Sequence, residues 1–205
     1  MYVDDFIVVG DERTVQLLER QLSERFTIKA TDLKVYLSQC VKAQDGAFIV
    51  TQSAYIAAMM TAYGLRDANQ ARSPCIKAEG NNGKQNAIDV NDYRRAVGQL
   101  NWLQLTVRPD ITFAVHKLST RVGDRRPQDL AAAKRVLRYL NGTRDAGLCI
   151  RGGGKLIAFV DSDWATDAET RRSVSGFVIG FVNGQHFTPF CLEIEAPKLC
   201  CCLDM

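Results

Sequence analysis

Residues 128–161 read QDLAAAKRVLRYLNGTRDAGLCIRGGGKLIAFVD, and the spacing of the apolar residues changes in mid-stretch. Leu130, Ala133, Leu137 and Leu140 recur at three and four, while Lys134, Arg135 and Arg138 take another face. That spacing predicts a helix from about 128 to 140 with one side on a core. Asn141-Gly142 closes it, since both residue types accept the left-handed angle common at a helix C-terminus. After Gly152-Gly153-Gly154 the period becomes two: Leu156, Ala158 and Val160 alternate with Ile157, Phe159 and Asp161. A helical block that gives way to strands defines an α+β chain. The glycine triplet has no strand-turn-helix context for cradling a phosphate, so it is read as a hinge between domains.

Working upstream, helical spacing also joins Tyr93, Val97, Leu100 and Leu103, and it resumes after Arg108-Pro109-Asp110, where proline suits a first helical turn. Residues 69–90 have little periodicity, a proline, two glycines and many amides, and are expected to form an exposed linker. Ser53 is the expected cap of a helix through Ile56, Met59, Met60 and Tyr63, ended by Gly64. The stretch VYLSQCVKAQDGAFIVT (35–51) sets Asp45-Gly46 between two apolar runs, which predicts a hairpin with a tight type I′ turn. Asp11 is the expected cap of a further helix whose Val15, Leu18, Leu22 and Phe26 are read as core. Downstream, SGFVIGFVNGQHF (175–187) supplies a second strand and, past an Asn183-Gly184 turn, a third. The remaining FCLEIEAPKLCCCLDM (190–205) shows no convincing period.

The 205 residues, 46% hydrophobic and 24% charged, suffice for one full core or two small domains, so length does not exclude an enzyme. No apolar run approaches the ~20 residues of a membrane span, and no basic-then-apolar leader follows Met1. The expectation is an intracellular chain without a membrane partner. Its seven cysteines lack the framework of a small secreted protein and are expected to be reduced. Cys191 and Cys200 to Cys202 form no C-x-x-C pair, and three consecutive thiolates do not converge easily on one tetrahedral zinc. His116 has no His or Cys at ligand spacing and is read as structural.

The net charge of +3 is unevenly spread, because residues 117–151 hold nine lysines and arginines against Asp124, Asp129 and Asp145. Such a segment suits a polyanion. Lys134, Arg135, Arg138 and Arg144 are candidates for tracking phosphates, and Tyr139 or Trp102 for stacking on bases; the equal alternative is a helix with its charges in water.

The chain begins MYVDDFIVVGDE (1–12), with Asp4 and Asp5 set against the apolar run Phe6 to Val9. A bare Asp-Asp is most often a solvated turn, but here the acids would sit at a turn anchored by a strand, where carboxylate oxygens can hold a hard cation such as Mg2+. The string resembles the Tyr-x-Asp-Asp signature of reverse transcriptases. YVDDFIVVGDE, DLKVYL, TQSAYI, DYRRAVGQLNWL, VRPDITFAV, AAAKRVLRYLNGTRDAGL and FVDSDWATDAETRRSVSGFV resemble, in that order, the copia-type LTR retrotransposon polyprotein. The series covers nearly the whole chain.

This resemblance implies a partial polymerase palm over residues 1–68 beginning at the YVDD hairpin, a linker over 69–90 and a helical thumb and connection region over 91–150. Residues 151–187 would open an incomplete ribonuclease H-like domain, and 188–205 would be a tail foreign to the family. The implied activities are RNA-directed DNA synthesis and cleavage of the RNA strand in RNA–DNA hybrids, with Mg2+ as cofactor. Asp4 and Asp5 match the acidic pair of the polymerase site, Asp4 as the direct metal contact, and Asp161 in FVDSDWA matches the first ribonuclease H aspartate. Asp163 is read as a turn residue rather than a ligand, and Trp164 as core.

Departures from the family pattern qualify that carry-over. The family's other polymerase aspartate lies on a strand upstream of Tyr-x-Asp-Asp, and its ribonuclease H glutamate lies in a Ser-Ser-Thr-Glu-Ala-Glu-Tyr run, where this chain has Cys200 to Cys202. Glu193 and Glu195 have no matching surroundings. Two-metal chemistry needs carboxylates from several segments. The expectation is therefore a truncated remnant, inactive on its own, that holds Mg2+ weakly or not at all. The alternative is a non-enzymatic nucleic-acid-binding module whose partner is an RNA–DNA hybrid or DNA.

Overall fold

The computed structural model describes residues 7–8, 10–31, 34–75, 90–124, 126–162 and 173–195. Five helices and two antiparallel sheets make up these residues, in keeping with the α+β class. The helices are α1 (Glu12–Ser23), α2 (Ser53–Ala62), α3 (Val90–Thr106), α4 (Thr112–Thr120) and α5 (Pro127–Gly142), with a 3-10 turn at Pro109–Ile111. One sheet has the order β1 (Val35–Tyr36), β2 (Gln39–Gln44), β3 (Ala47–Thr51) and β4 (Leu148–Arg151). The other has β5 (Lys155–Ser162), β6 (Ser175–Asn183) and β7 (His186–Glu195) in chain order.

The core sits among the helices. Tyr93, Leu100 and Leu103 of α3, Leu137 and Leu140 of α5, and Ile56 and Met59 of α2 are almost fully buried together. Each set lies at the three-and-four spacing that puts side chains on one helix face. Val50 of β3 joins them, which attaches the first sheet to the helical block. Tyr93 also donates from its hydroxyl to Leu118 O at 2.9 Å, tying the start of α3 to the end of α4.

Local signals account for the element ends. Asp45 and Gly46 take φ of 50° and 72°, so the β2–β3 hairpin turns where the Asp-Gly pair permits two positive angles. At the end of α2, Gly64 has φ of 61°, Leu65 N–H reaches Met60 O at 2.8 Å and Gly64 N–H reaches Thr61 O at 3.2 Å. That pair of bonds is a Schellman closure, with Leu65 buried behind it. At the start of α5 the Asp129 carboxylate accepts the Arg126 N–H at 2.7 Å.

Several expectations are corrected. Ser53 is the first helical residue of α2, and Gln52 stands at the N-cap without a side-chain capping bond. Gly142 stays inside α5, with Thr143 as the cap. A side chain there would lie 3.1 Å from Gln70, so Gly142 serves a close approach rather than a left-handed turn. The second hairpin turns on Gly184-Gln185, because Asn183 pairs with His186. The third strand does not stop at 187: β7 continues to Glu195, with Phe190 as an extra residue between Pro189 and Cys191. A single-residue bulge of this kind breaks the alternation by which a strand is recognised.

The start of the expected linker is not an exposed tether. Ala71 is buried, and residues 69–73 lie along α5. The capped helix α1 has no buried residue; Val15, Leu18 and Leu22 are half-buried and Phe26 is exposed. Periodicity names an apolar face without naming what covers it.

Candidate functional site

Asp4 and Asp5 lie outside the described residues, as do Asp163, Trp164 and Cys200 to Cys202. Asp161 is on β5, exposed, and pairs with Gly176 of β6. It borders an apolar cleft of about 340 Å³ formed with Phe113 of α4, Phe159 of β5 and Phe177 of β6. Glu193 and Glu195 fall in the register rows of Val160 and Ser162, not in the row of Asp161, which runs through Gly176 to Ile194. Mg2+ takes six oxygen ligands, commonly with one or two carboxylates and several waters. Among the described residues no three His, Cys, Asp or Glu side chains converge on a metal position. Of the predicted ligands Asp4, Asp5 and Asp161, only Asp161 falls among the described residues.

The basic candidates are put to different uses. Arg135 Nε donates to Ser73 O at 3.1 Å and Arg138 Nε donates to Asn69 O. Ala71 N–H returns a bond to Arg138 O at 3.4 Å, and Asn141 Nδ2 donates to Arg66 O at 3.1 Å. Two of the four candidates therefore brace the chain after α2 against α5. Lys134 is half-buried, and Arg144 is exposed just beyond α5. Trp102 is 39% exposed.

A polar cluster escaped sequence reading. Arg108 is only 1% exposed, yet its guanidinium donates Nε to Asp110 Oδ1 at 2.9 Å and Nη2 to Oδ2 at 2.7 Å. Two further protons go to Thr143, with Nη1 on the carbonyl at 2.9 Å and Nη2 on the hydroxyl at 2.7 Å. Tyr139 donates its hydroxyl to Asp110 Oδ2 at 2.7 Å and lays its ring under Arg108, 5.5 Å away. Burial pushes the Asp110 carboxyl up, but the bonds from Arg108 and Tyr139 and the guanidinium charge outweigh it and hold the group below its ordinary value. Burial and the bond to Asp110 push the Tyr139 hydroxyl up. The Arg-Pro-Asp tripeptide was the only local hint, and it gives no sign of Tyr139 or Thr143.

No family model matches the chain, and no solved structure matches it. Curated relatives are informative. The chain is 35% identical over 182 residues to the uncharacterized mitochondrial protein AtMg00810 of Arabidopsis thaliana, covering 86% of this chain and 75% of that protein. It is 32% identical over 187 residues to the retrovirus-related Pol polyprotein from transposon RE1 of the same plant, which covers 87% of this chain and 13% of the polyprotein. The corresponding polyprotein from transposon TNT 1-94 of Nicotiana tabacum is 27% identical over 205 residues, 90% of this chain and 15% of its own length. The chain thus spans a small share of those polyproteins and most of the mitochondrial protein. The order of motifs from Tyr2 to Val178 and these likenesses agree, and the chain belongs to the copia-type retrotransposon Pol polyprotein family.

Proposed function

We propose that the chain corresponds to the C-terminal part of a copia-type reverse transcriptase joined to the opening strands of its ribonuclease H unit, and that by itself it performs neither DNA synthesis nor RNA cleavage. The observation that carries this reading is Asp161 on the first strand of a three-stranded antiparallel sheet, at the place the motif order assigns to a ribonuclease H aspartate. The glutamates of β7 stand in other register rows. In-line displacement at phosphorus by two metal ions draws on acids from several segments, so a lone carboxylate does not complete the cradle. Mg2+ binding at Asp4, Asp5 and Asp161 would be weak for the same reason. The test incubates the purified chain with Mg2+ and either a primed RNA template or an RNA–DNA hybrid. No product above that of an Asp4→Asn, Asp161→Asn variant is expected. Extension or cleavage that disappears in that variant would reject the proposal.

A second reading, binding of an RNA–DNA hybrid or DNA, is favoured by the basic surplus of residues 117–151. Arg135 and Arg138 are poor probes of it, because their loss would also release residues 69–73. Arg144→Ala together with Lys117→Ala is the better test. Affinity measured by fluorescence anisotropy should fall in the double variant, with a salt slope shallower by about one to two. Absence of hybrid binding at low salt would end this reading.

A further inference from the structure

Strand β5 pairs with β6 along one side, and among the described residues no strand lies along the other. An open strand edge is ordinarily blunted by a charge within the strand, a proline or a bulge. Between Lys155 and Asp161 there is none of these: Leu156 to Val160 is uncharged and free of proline, and its pairing with β6 runs without a register shift. Leu156, Ala158, Phe159 and Val160 are all exposed. The unpaired backbone groups of β5 are thus a template for a further strand.

The segment KLIAFVD (155–161) is complementary to itself. Antiparallel pairing of two such segments about Ala158 sets Lys155 opposite Asp161, Leu156 opposite Val160 and Ile157 opposite Phe159. Residues opposite one another in an antiparallel pair share a face, so each apolar side chain gains an apolar neighbour and each charge an opposite one. Two-fold symmetry then makes every such pair twice. Other alignments lose this match. Sliding one copy by two residues places Lys155 against Phe159, or Asp161 against Ile157. A slip of one residue puts the outward backbone groups of one strand against the inward groups of the other. Parallel pairing in register brings Lys155 beside Lys155 and Asp161 beside Asp161, a repulsive arrangement.

We propose that two copies of this chain associate through β5, antiparallel about Ala158, joining two three-stranded sheets into one of six strands with each Lys155 on the partner's Asp161. Charge complementarity along the open edge selects a second copy as the occupant. The proposal does not rest on Asp161 holding a metal ion.

The test is sedimentation equilibrium of the full chain with a reductant and EDTA, so that neither a disulfide nor an ion shared between carboxylates can join the copies. The mass should rise with concentration from 22.8 kDa toward twice that value, with a dissociation constant below about 1 mM. Asp161→Lys and Lys155→Asp each set like charges against each other in two pairs and should weaken association at least about tenfold. The combined Lys155→Asp, Asp161→Lys variant should recover the natural affinity to within about threefold. Circular dichroism checks that each variant is folded; if one single variant is not, the other reads the same pairs. Hydrogen exchange at every second amide of β5 should slow as concentration rises, because only alternate residues face the open side. A monomer up to about 1 mM, a dimer indifferent to the single charge reversals, or a combined variant no tighter than the single ones would each overturn the proposal.

Discussion

Arg108 holds a permanent charge out of water, bonded twice to Asp110 and twice to Thr143. Breaking such a pair from the carboxylate side leaves the guanidinium buried without its counter-charge, whereas removing the guanidinium removes the demand. Asp110→Ala is therefore expected to lower the stability of the chain by about 3 kcal/mol in urea denaturation, and Arg108→Met by distinctly less. Equal losses would show that packing, not charge, dominates. The pH dependence follows from the direction of the Asp110 shift. Its folded value lies below the reference of 3.8, so the pair contributes fully above that pH and its contribution disappears as pH falls through the lower, folded value. The urea midpoint of the natural chain should drop below about pH 4, and the drop should be smaller in Asp110→Asn. None of this was legible in the sequence, where an arginine beside a proline and an aspartate reads as a wet helix start. The partners that bury it come from more than thirty positions downstream.

At the scale of elements, legibility tracks how local the cause is. The β2–β3 hairpin and the faces of α3 and α5 were readable because two adjacent residues, or one repeated spacing, suffice to set them. The bulge at Phe190 hid the continuation of β7 past 187, and the contacts of residues 69–73 with α5 hid an ordered segment inside an expected linker. Asp161 was found through a motif, and its solitude in its register row needed the sheet. Helix α1 gives a clean test of a local cause without burial. Asp11 accepts the Thr14 N–H at 3.0 Å and its hydroxyl at 2.6 Å, bonds that lower the Asp11 pKa. Asp11→Ala should reduce the helical signal at 222 nm while leaving the cooperative unfolding midpoint in place, because no residue of α1 is buried. A shifted midpoint would mean that α1 is coupled to the core.

For the molecule as a whole, the side chain of Thr188 helps join the two sheets. Thr188 is 7% exposed, and its hydroxyl accepts the Arg151 N–H at 3.2 Å and donates to Cys149 O at 3.3 Å, standing in for a strand on the open side of β4. Thr188→Val leaves that N–H and carbonyl unpaired, at a cost of about 1–3 kcal/mol. Hydrogen exchange should then quicken across β5 to β7 and not in α3 or α5, where the core lies. Uniform acceleration would argue for one cooperative unit. Conversely, Val160→Lys should raise solubility without changing the fold, which size-exclusion chromatography against concentration would register.

The reason lies in β5. This strand forms the outer side of its sheet among the described residues, and it leaves Leu156, Phe159 and Val160 at 63%, 57% and 77% exposure. Inside a cell, such an uncapped rim of amides flanked by greasy side chains is what chaperones bind and degradation machinery watches for. The lifetime of the chain in vivo would then be governed by whatever shields that rim, more than by the depth of its helical core.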